Sequence, residues 1–88
     1  MRYEELEVGE VYYDNETSQY TQVIHKTNNY GVVIKLESAH YLGYIEIINP
    51  SDNYGTVNFT TIDDSDKNYY NMLFDRVLEY NDSNTLKY

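Results

Sequence analysis

QYTQVIHKTNNYGVVIKLE, residues 19–37, is the stretch that decides the fold of this chain. Val32, Ile34 and Leu36 recur at every second position, which is the period of a β-strand that buries one face. Residues 28–31 before them read Asn-Asn-Tyr-Gly, and both Asn and Gly tolerate the positive φ angles of a tight hairpin turn. The stretch therefore predicts two antiparallel strands with an apolar face turned inward and a mixed face on the other side.

Similar signals continue on both sides of this hairpin. Residues 14–18 and 49–55 are rich in Asp, Asn, Ser, Pro and Gly, which predicts turns. Gly43 predicts a bulge or a point of close backbone approach. The predicted strands are 10–14, 19–27, 32–37, 41–48 and 56–62.

The spacing of the apolar residues changes after residue 66. Apolar residues then follow the spacing i, i+3, i+4 and i+7 of a helix with one buried face; they are Tyr70, Leu73, Phe74 and Val77. This spacing predicts an amphipathic helix over about 66–80. The chain is thus predicted to be a single α+β domain over 1–88, with a small antiparallel sheet of about five strands and one C-terminal helix. A meander and an SH3-like, partly closed barrel both fit, and we expect the charged N-terminal segment to cover an exposed sheet edge.

Composition narrows the class of protein. Hydrophobic residues at 41% and aromatic residues at 16% are too abundant for a disordered acidic tail. The chain has no cysteine, which excludes disulfides, thiolate metal sites and a cysteine nucleophile. No signal-peptide pattern and no apolar run of about 18 residues is present, so we expect a cytoplasmic protein.

The net charge of −9 comes from two short acidic blocks. Residues 1–16 carry six carboxylates against Arg2, and residues 52–66 carry four with no base. Elsewhere the charges balance. A field of this sign attracts basic partners and repels nucleic acid and anionic membranes. Two simpler interpretations stay open: Asp63 and Asp66 cap the helix that follows, and the first block is a solvated turn.

Motifs of catalysis or metal binding are weak. His25 and His40 are the only imidazoles and lack the spacing of a zinc site or a catalytic triad. Asp64, Asp66 and Asn68 begin a calcium-loop pattern, but Tyr69 replaces the glycine that its sharp turn needs. We therefore expect no enzymatic activity, no metal and no cofactor.

Twelve tyrosines are more than a core of this size holds with every hydroxyl satisfied. On an acidic protein, phosphate repulsion disfavours stacking of their rings on nucleic-acid bases. Tyrosines beside carboxylates instead fit an interface that accepts Arg or Lys side chains. Packing within the sheet is the alternative, since Tyr is a good strand residue.

These observations predict a non-enzymatic inhibitor whose acidic surface occupies the basic nucleic-acid-binding groove of a nuclease or other defence effector. Its carboxylates would stand in for phosphates, as in DNA mimicry by an anti-CRISPR or similar counter-defence protein. Ten Asn and twelve Tyr, which have A/T-rich codons, fit a phage of a low-GC bacterium. The predicted contact residues are Glu4, Glu5, Glu7, Glu10, Tyr12, Tyr13, Tyr54, Asp63, Asp64 and Asp66.

Two other functions fit the sequence. One is a structural or assembly module that forms a homo-oligomer through a sheet edge or the apolar helix face. The other is capture of a small ligand between protomers, with His25, Lys26 and Lys35 lining the pocket.

Overall fold

The turn at 28–31 joins two paired strands, as the sequence predicts, and the rest of the sheet grows around this hairpin. The structure, a computed structural model, describes residues 1–37, 42–50 and 55–85. A short 3-10 turn (Tyr3–Glu5) comes first. It is followed by β1 (Val11–Asp14), β2 (Gln19–Lys26), β3 (Gly31–Glu37), β4 (Leu42–Ile48), β5 (Phe59–Thr61) and α1 (Asp64–Thr85).

The five strands form one antiparallel sheet in the order β4-β3-β2-β1-β5. The sheet is not closed, so the predicted α+β fold is confirmed in its open form. The last strand is shorter than the predicted range 56–62, because the residues before Phe59 pair with the N-terminus instead of β1. Thr56 bridges Arg2, and the Val57 N–H donates to the Met1 carbonyl at 2.8 Å.

Helix α1 covers one face of the sheet and crosses its strands in order. Lys67 contacts Glu10 just before β1, the amide of Gln22 on β2 donates to Asn71, and Val77 lies over Gly43 of β4. A Cβ at position 43 would lie 2.9 Å from both the Val77 Cγ1 atom and a backbone oxygen of β3, which confirms the predicted close approach.

The apolar spacing of α1 is also confirmed, because Phe74 and Val77 are buried against Val11 and Ile34. Asn71, which lies among these apolar residues in the sequence, is half-buried. No helix within the described residues is both long and apolar enough to span a membrane.

The N-terminal segment covers the opposite face rather than an edge, which corrects the prediction. Tyr3 and Leu6 pack there against the apolar residues of the sheet, which are Tyr12, Val23, Val33 and Phe59. The amine of Lys26 fixes the segment by donating to the carbonyls of Glu4 and Leu6, at 2.9 and 2.7 Å. Both faces of β3 are therefore buried, whereas the sequence predicted one mixed face.

A buried ion pair, Lys35 with Asp14, lies inside this second layer. The amine of Lys35 is 2.8 Å from Asp14 and 2.7 Å from Glu46, and only 3% of the lysine side chain is exposed. Thr21 is the cross-strand neighbour of Lys35, so the lysine reaches across β2 to β1. The sequence pattern places Lys35 on the mixed face of its strand, and the two carboxylates are what makes its burial tolerable.

Candidate functional site

The two acidic blocks meet at the N-terminus of α1. The Lys67 amine in the first turns of the helix lies 3.0 Å from the carboxylate of Glu10, in the first block. Residues more than 50 positions apart in sequence are thereby brought to one side of the molecule. We call this group the acidic face; its members are Glu5, Glu7, Glu10, Asp63, Asp64 and Asp66.

Charge on the acidic face is far from balanced. Glu5, Glu7 and Glu10 line a shallow pocket together with Lys67, which is the only basic side chain among the residues lining it. The hydrogen bond to Glu10 raises the pKa of Lys67 above its usual 10.5, and the charge of Asp64 adds to this shift. Carboxylates of both blocks, Glu10 and Asp64, thus act on one lysine amine.

Among the described residues, the carboxylates before and within the first helical turn accept no side-chain hydrogen bond, and Asp64 and Asp66 act on the positive end of the helix through their charge alone. Asp63, Asp64 and Asp66 are exposed, and no described residue donates a hydrogen bond to their side chains. Asp63 takes part in the helix start only through its backbone carbonyl, which accepts from the Lys67 N–H at 2.8 Å. Side-chain capping, the simpler interpretation of this block, is therefore not observed.

A tyrosine cluster adjoins the acidic face; its members are Tyr13, Tyr20, Tyr69 and Tyr70. The rings of Tyr20 and Tyr70 stack with centroids 3.7 Å apart, and Tyr13 and Tyr69 contact them edge-on at 5.1 and 5.2 Å. Burial raises the pKa of the Tyr70 hydroxyl to about 12, with Tyr20, Tyr69 and Asp66 adding to the shift. Tyr69 is 54% exposed and lies beside Asp66 in the helix, so a flat ring is presented next to carboxylates.

Two predicted contact residues do not contribute an exposed side chain to this surface. Tyr12 is only 3% exposed; its ring stacks on Phe59 in the core and its hydroxyl accepts from the Glu7 N–H. The structure thus corrects its assignment as a surface anchor. Glu4 is exposed but pairs with Arg2 at 2.8 Å and lines a different pocket. Tyr54 lies outside the described residues.

The sequence did not predict two residues of this surface, Tyr69 and Lys67. Tyr69 is one of the twelve tyrosines. Its position three residues after Asp66, on the same side of a helix, is the signal that points to it. Lys67 is the basic residue that directly follows the second acidic block in the sequence. Its pairing with Glu10 depends on the tertiary fold, which the sequence pattern does not reveal.

A second concave region lies on the sheet face opposite α1, between β4 and the residues leading into β5. Asp14, Lys35 and Glu46 line it and satisfy one another, and the exposed Glu16 lies at the same region. The amines of the ligand site predicted around Lys26 and Lys35 are already engaged. The Lys26 amine donates to backbone carbonyls, and the Lys35 amine pairs with two carboxylates.

The arrangement at α1 therefore offers unpaired carboxylates and an exposed ring, which suit binding of basic side chains. Comparisons find no family model, no curated protein and no solved structure that matches this chain.

Proposed function

We propose that this protein is a non-enzymatic inhibitor that binds a basic, nucleic-acid-binding surface of another protein through its acidic face. The observation that supports the proposal is the meeting of the two acidic blocks around Lys67. Without this convergence, each block would be an ordinary charged turn. With it, six carboxylates form one field whose strength depends on their number and proximity.

Phosphates and clustered carboxylates present the same sign of charge to a groove that is lined by Lys and Arg. A protein that carries such a cluster on a folded scaffold competes with nucleic acid without being one. Binding of this kind weakens as salt rises, because screening acts on exposed charges within about 8–10 Å at physiological ionic strength. We propose the cytoplasm as the compartment, and a nuclease or defence effector of a phage's host as the partner, as for an anti-CRISPR or similar counter-defence protein.

The tyrosine cluster supplies the apolar part of the proposed interface. Tyr and Arg are the residue types that anchor protein interfaces, and an aromatic face attracts a guanidinium by roughly 0.5–2 kcal/mol. Tyr69 is the exposed member of the cluster. Tyr13, a predicted anchor, is half-buried and contributes the edge of the same cluster.

Capture from the lysate of a low-GC bacterium with intact defence systems tests the proposal. The tagged protein is compared with the variant Glu7→Gln/Asp64→Asn/Asp66→Asn, which removes three charges from the acidic face. The control variant Glu16→Gln/Asp75→Asn/Glu79→Gln removes three exposed charges elsewhere and changes the net charge equally.

We expect the unaltered protein and the control to recover the same nucleic-acid-binding protein at low salt and to lose it at high salt. The acidic-face variant should recover at most one tenth as much, which corresponds to about 1.4 kcal/mol. Equal recovery by both variants, or recovery of no nucleic-acid-binding protein, would contradict the proposal.

A further inference from the structure

Strand β4 forms an edge of the sheet, and one charged residue, Glu46, is the only feature within the strand that normally protects an edge. It is seven residues long and is paired on one side only, with β3. Lys residues, prolines, bulges or very short strands usually prevent such an edge from pairing with another chain. The opposite edge, β5, follows that rule with three residues. Strand β4 has no lysine and no proline, and its register with β3 is continuous.

Two exposed apolar side chains on this edge also favour contact with another chain. Ile45 is 62% exposed and Ile47 is 61% exposed, although both point to the same side of the sheet as the helix. Their cross-strand neighbours are Ile34, which is buried, and Val32, which is half-buried. The isoleucines therefore extend the apolar layer under α1 beyond the part that the helix covers.

The path of α1 explains why they are uncovered. From Lys67 to Val77 the helix passes from β1 to β4, a rise of about 15 Å, which matches three strand spacings of about 4.8 Å. The helix thus runs nearly across the strands and reaches β4 at Gly43, two residues before Ile45. It then continues for eight residues to Thr85. By this geometry those last turns, about 12 Å long, extend past the edge of the described sheet by the width of roughly two more strands.

We propose that a second copy of this chain fills that space, and that the protein is a two-fold symmetric dimer in which the β4 strands pair antiparallel. A two-fold axis normal to the sheet keeps both helices on one side. If the axis passes at Glu46, Ile45 of one copy lies opposite Ile47 of the second copy. All four isoleucines then share a face, and the projecting helix end of each copy lies above the strands of the other.

The distribution of charge favours a second copy at this edge over any other part of the surface. Two chains of net charge −9 repel each other. Strand β4 carries one charged residue, Glu46, and its carboxylate is already paired with Lys35 at 2.7 Å. The acidic face adjoins β1 and β5, at the other side of the sheet, so pairing at β4 keeps the two acidic faces apart and free. A dimer of this form presents two acidic faces to basic partners, but its existence does not depend on the proposed function.

Sedimentation of the full chain over a range of protein and salt concentrations tests the dimer. We expect a species of twice 10.5 kDa for the unaltered protein, which salt strengthens by screening the repulsion between the two copies. The variant Ile47→Lys should raise the dimer dissociation constant at least ten-fold.

The matched control is Val8→Lys, because Val8 is equally exposed, at 61%, and the change in charge is the same. The control should dimerise like the unaltered protein. Ile45→Thr, which keeps a β-branched residue in the strand, provides a second edge variant, and circular dichroism verifies that each variant is folded.

Three outcomes would overturn the inference. One is a monomer under all conditions, which is also the result expected if the edge binds an extended segment of another protein. The second is a dimer that Ile47→Lys leaves intact, since another surface would then form it. The third is an open series of larger oligomers. None of these outcomes bears on capture by the acidic face, so the two proposals fail separately.

Discussion

Two sets of carboxylates in this molecule differ in what surrounds them. Asp14 and Glu46 bind one buried lysine, Lys35, with distances of 2.8 and 2.7 Å. Among the described residues of the acidic face, Glu10 alone pairs with a lysine, the half-exposed Lys67, and three other carboxylates receive no side-chain hydrogen bond. The first set is needed by the fold. In the second set, Glu5 accepts from the Arg2 N–H and Glu10 pairs with Lys67. The charge of this set exceeds what these contacts use, and this difference is why we assign binding to it.

Removing the buried lysine should give the largest effect. Lys35→Ala leaves the carboxylate of Asp14 buried without its cation, a change that typically costs about 3–5 kcal/mol. Urea denaturation measures the loss of unfolding free energy. The comparison variant Lys67→Ala should leave the urea midpoint nearly unchanged, because its partner Glu10 is accessible to water. Similar losses in the two variants would show that the two sets of carboxylates do not differ in structural role.

Alkaline pH should weaken the fold through its tyrosines and Lys35. Burial raises the pKa of Tyr70 to about 12 and raises the pKa values of Tyr3 and Tyr12 above 10.0. Burial opposes the charge of Lys35, but the hydrogen bonds to Asp14 and Glu46 outweigh it and raise its pKa above 10.5. Between the unfolded and the folded pKa values the unfolded chain binds fewer protons, so stability falls as pH rises beyond about 10.

Ultraviolet absorbance of tyrosinate follows this titration. Tyr70→Phe should remove one step near pH 12 and leave the earlier steps in place. Titration of all tyrosines together near pH 10 would contradict the stacked, half-buried cluster.

Acid pH should act through Asp14. Burial favours its protonated form, but the hydrogen bonds from Lys35 and from the Glu16 N–H prevail and hold the pKa of Asp14 below its usual 3.8. Its contribution to stability is therefore present above about pH 4 and disappears as pH falls through the folded pKa. Urea midpoints measured from about pH 7 to about pH 2 should show this loss, and Lys35→Ala should reduce it. An unchanged acid profile in Lys35→Ala would disprove the coupling.

The smallest effect on stability should come from the acidic face itself. Glu7→Gln/Asp64→Asn/Asp66→Asn changes exposed side chains, so the unfolding free energy should shift by less than about 1 kcal/mol. Thermal or urea unfolding checks this value. A large destabilisation would mean that these carboxylates support the fold, and their availability for a partner would then be in doubt.

Local patterns in the sequence predicted the parts of the fold that depend on neighbours along the chain. The hairpin at 28–31, the spacing of Phe74 and Val77 and the close approach at Gly43 were all predictable, because periodicity and turn chemistry act over a few residues. Burial of Lys35 was not predictable. It requires Asp14 to lie two strands away in the sheet, and only the registers of β1 with β2 and of β2 with β3 bring the two together.

The same limit applies to the candidate site. The sequence shows two acidic blocks, but their meeting depends on α1 starting beside Glu10. Tyr12 was misassigned because the N-terminal segment folds back over its ring, and nothing in the alternation of β1 distinguishes that covered face from an open one. The exposure of Tyr69 follows from helical geometry, because its neighbour Tyr70 lies on the buried side of α1.

Competition with nucleic acid tests the central claim most directly. The protein that is captured by the acidic face is bound to a labelled DNA or RNA duplex at fixed salt, and the chain is then titrated in. The account predicts displacement of the duplex by the unaltered protein and by Glu16→Gln/Asp75→Asn/Glu79→Gln, but at least ten-fold weaker displacement by Glu7→Gln/Asp64→Asn/Asp66→Asn. A stable complex that contains the captured protein, the duplex and this chain together would contradict it, because carboxylates that occupy the phosphate sites leave no room for phosphates.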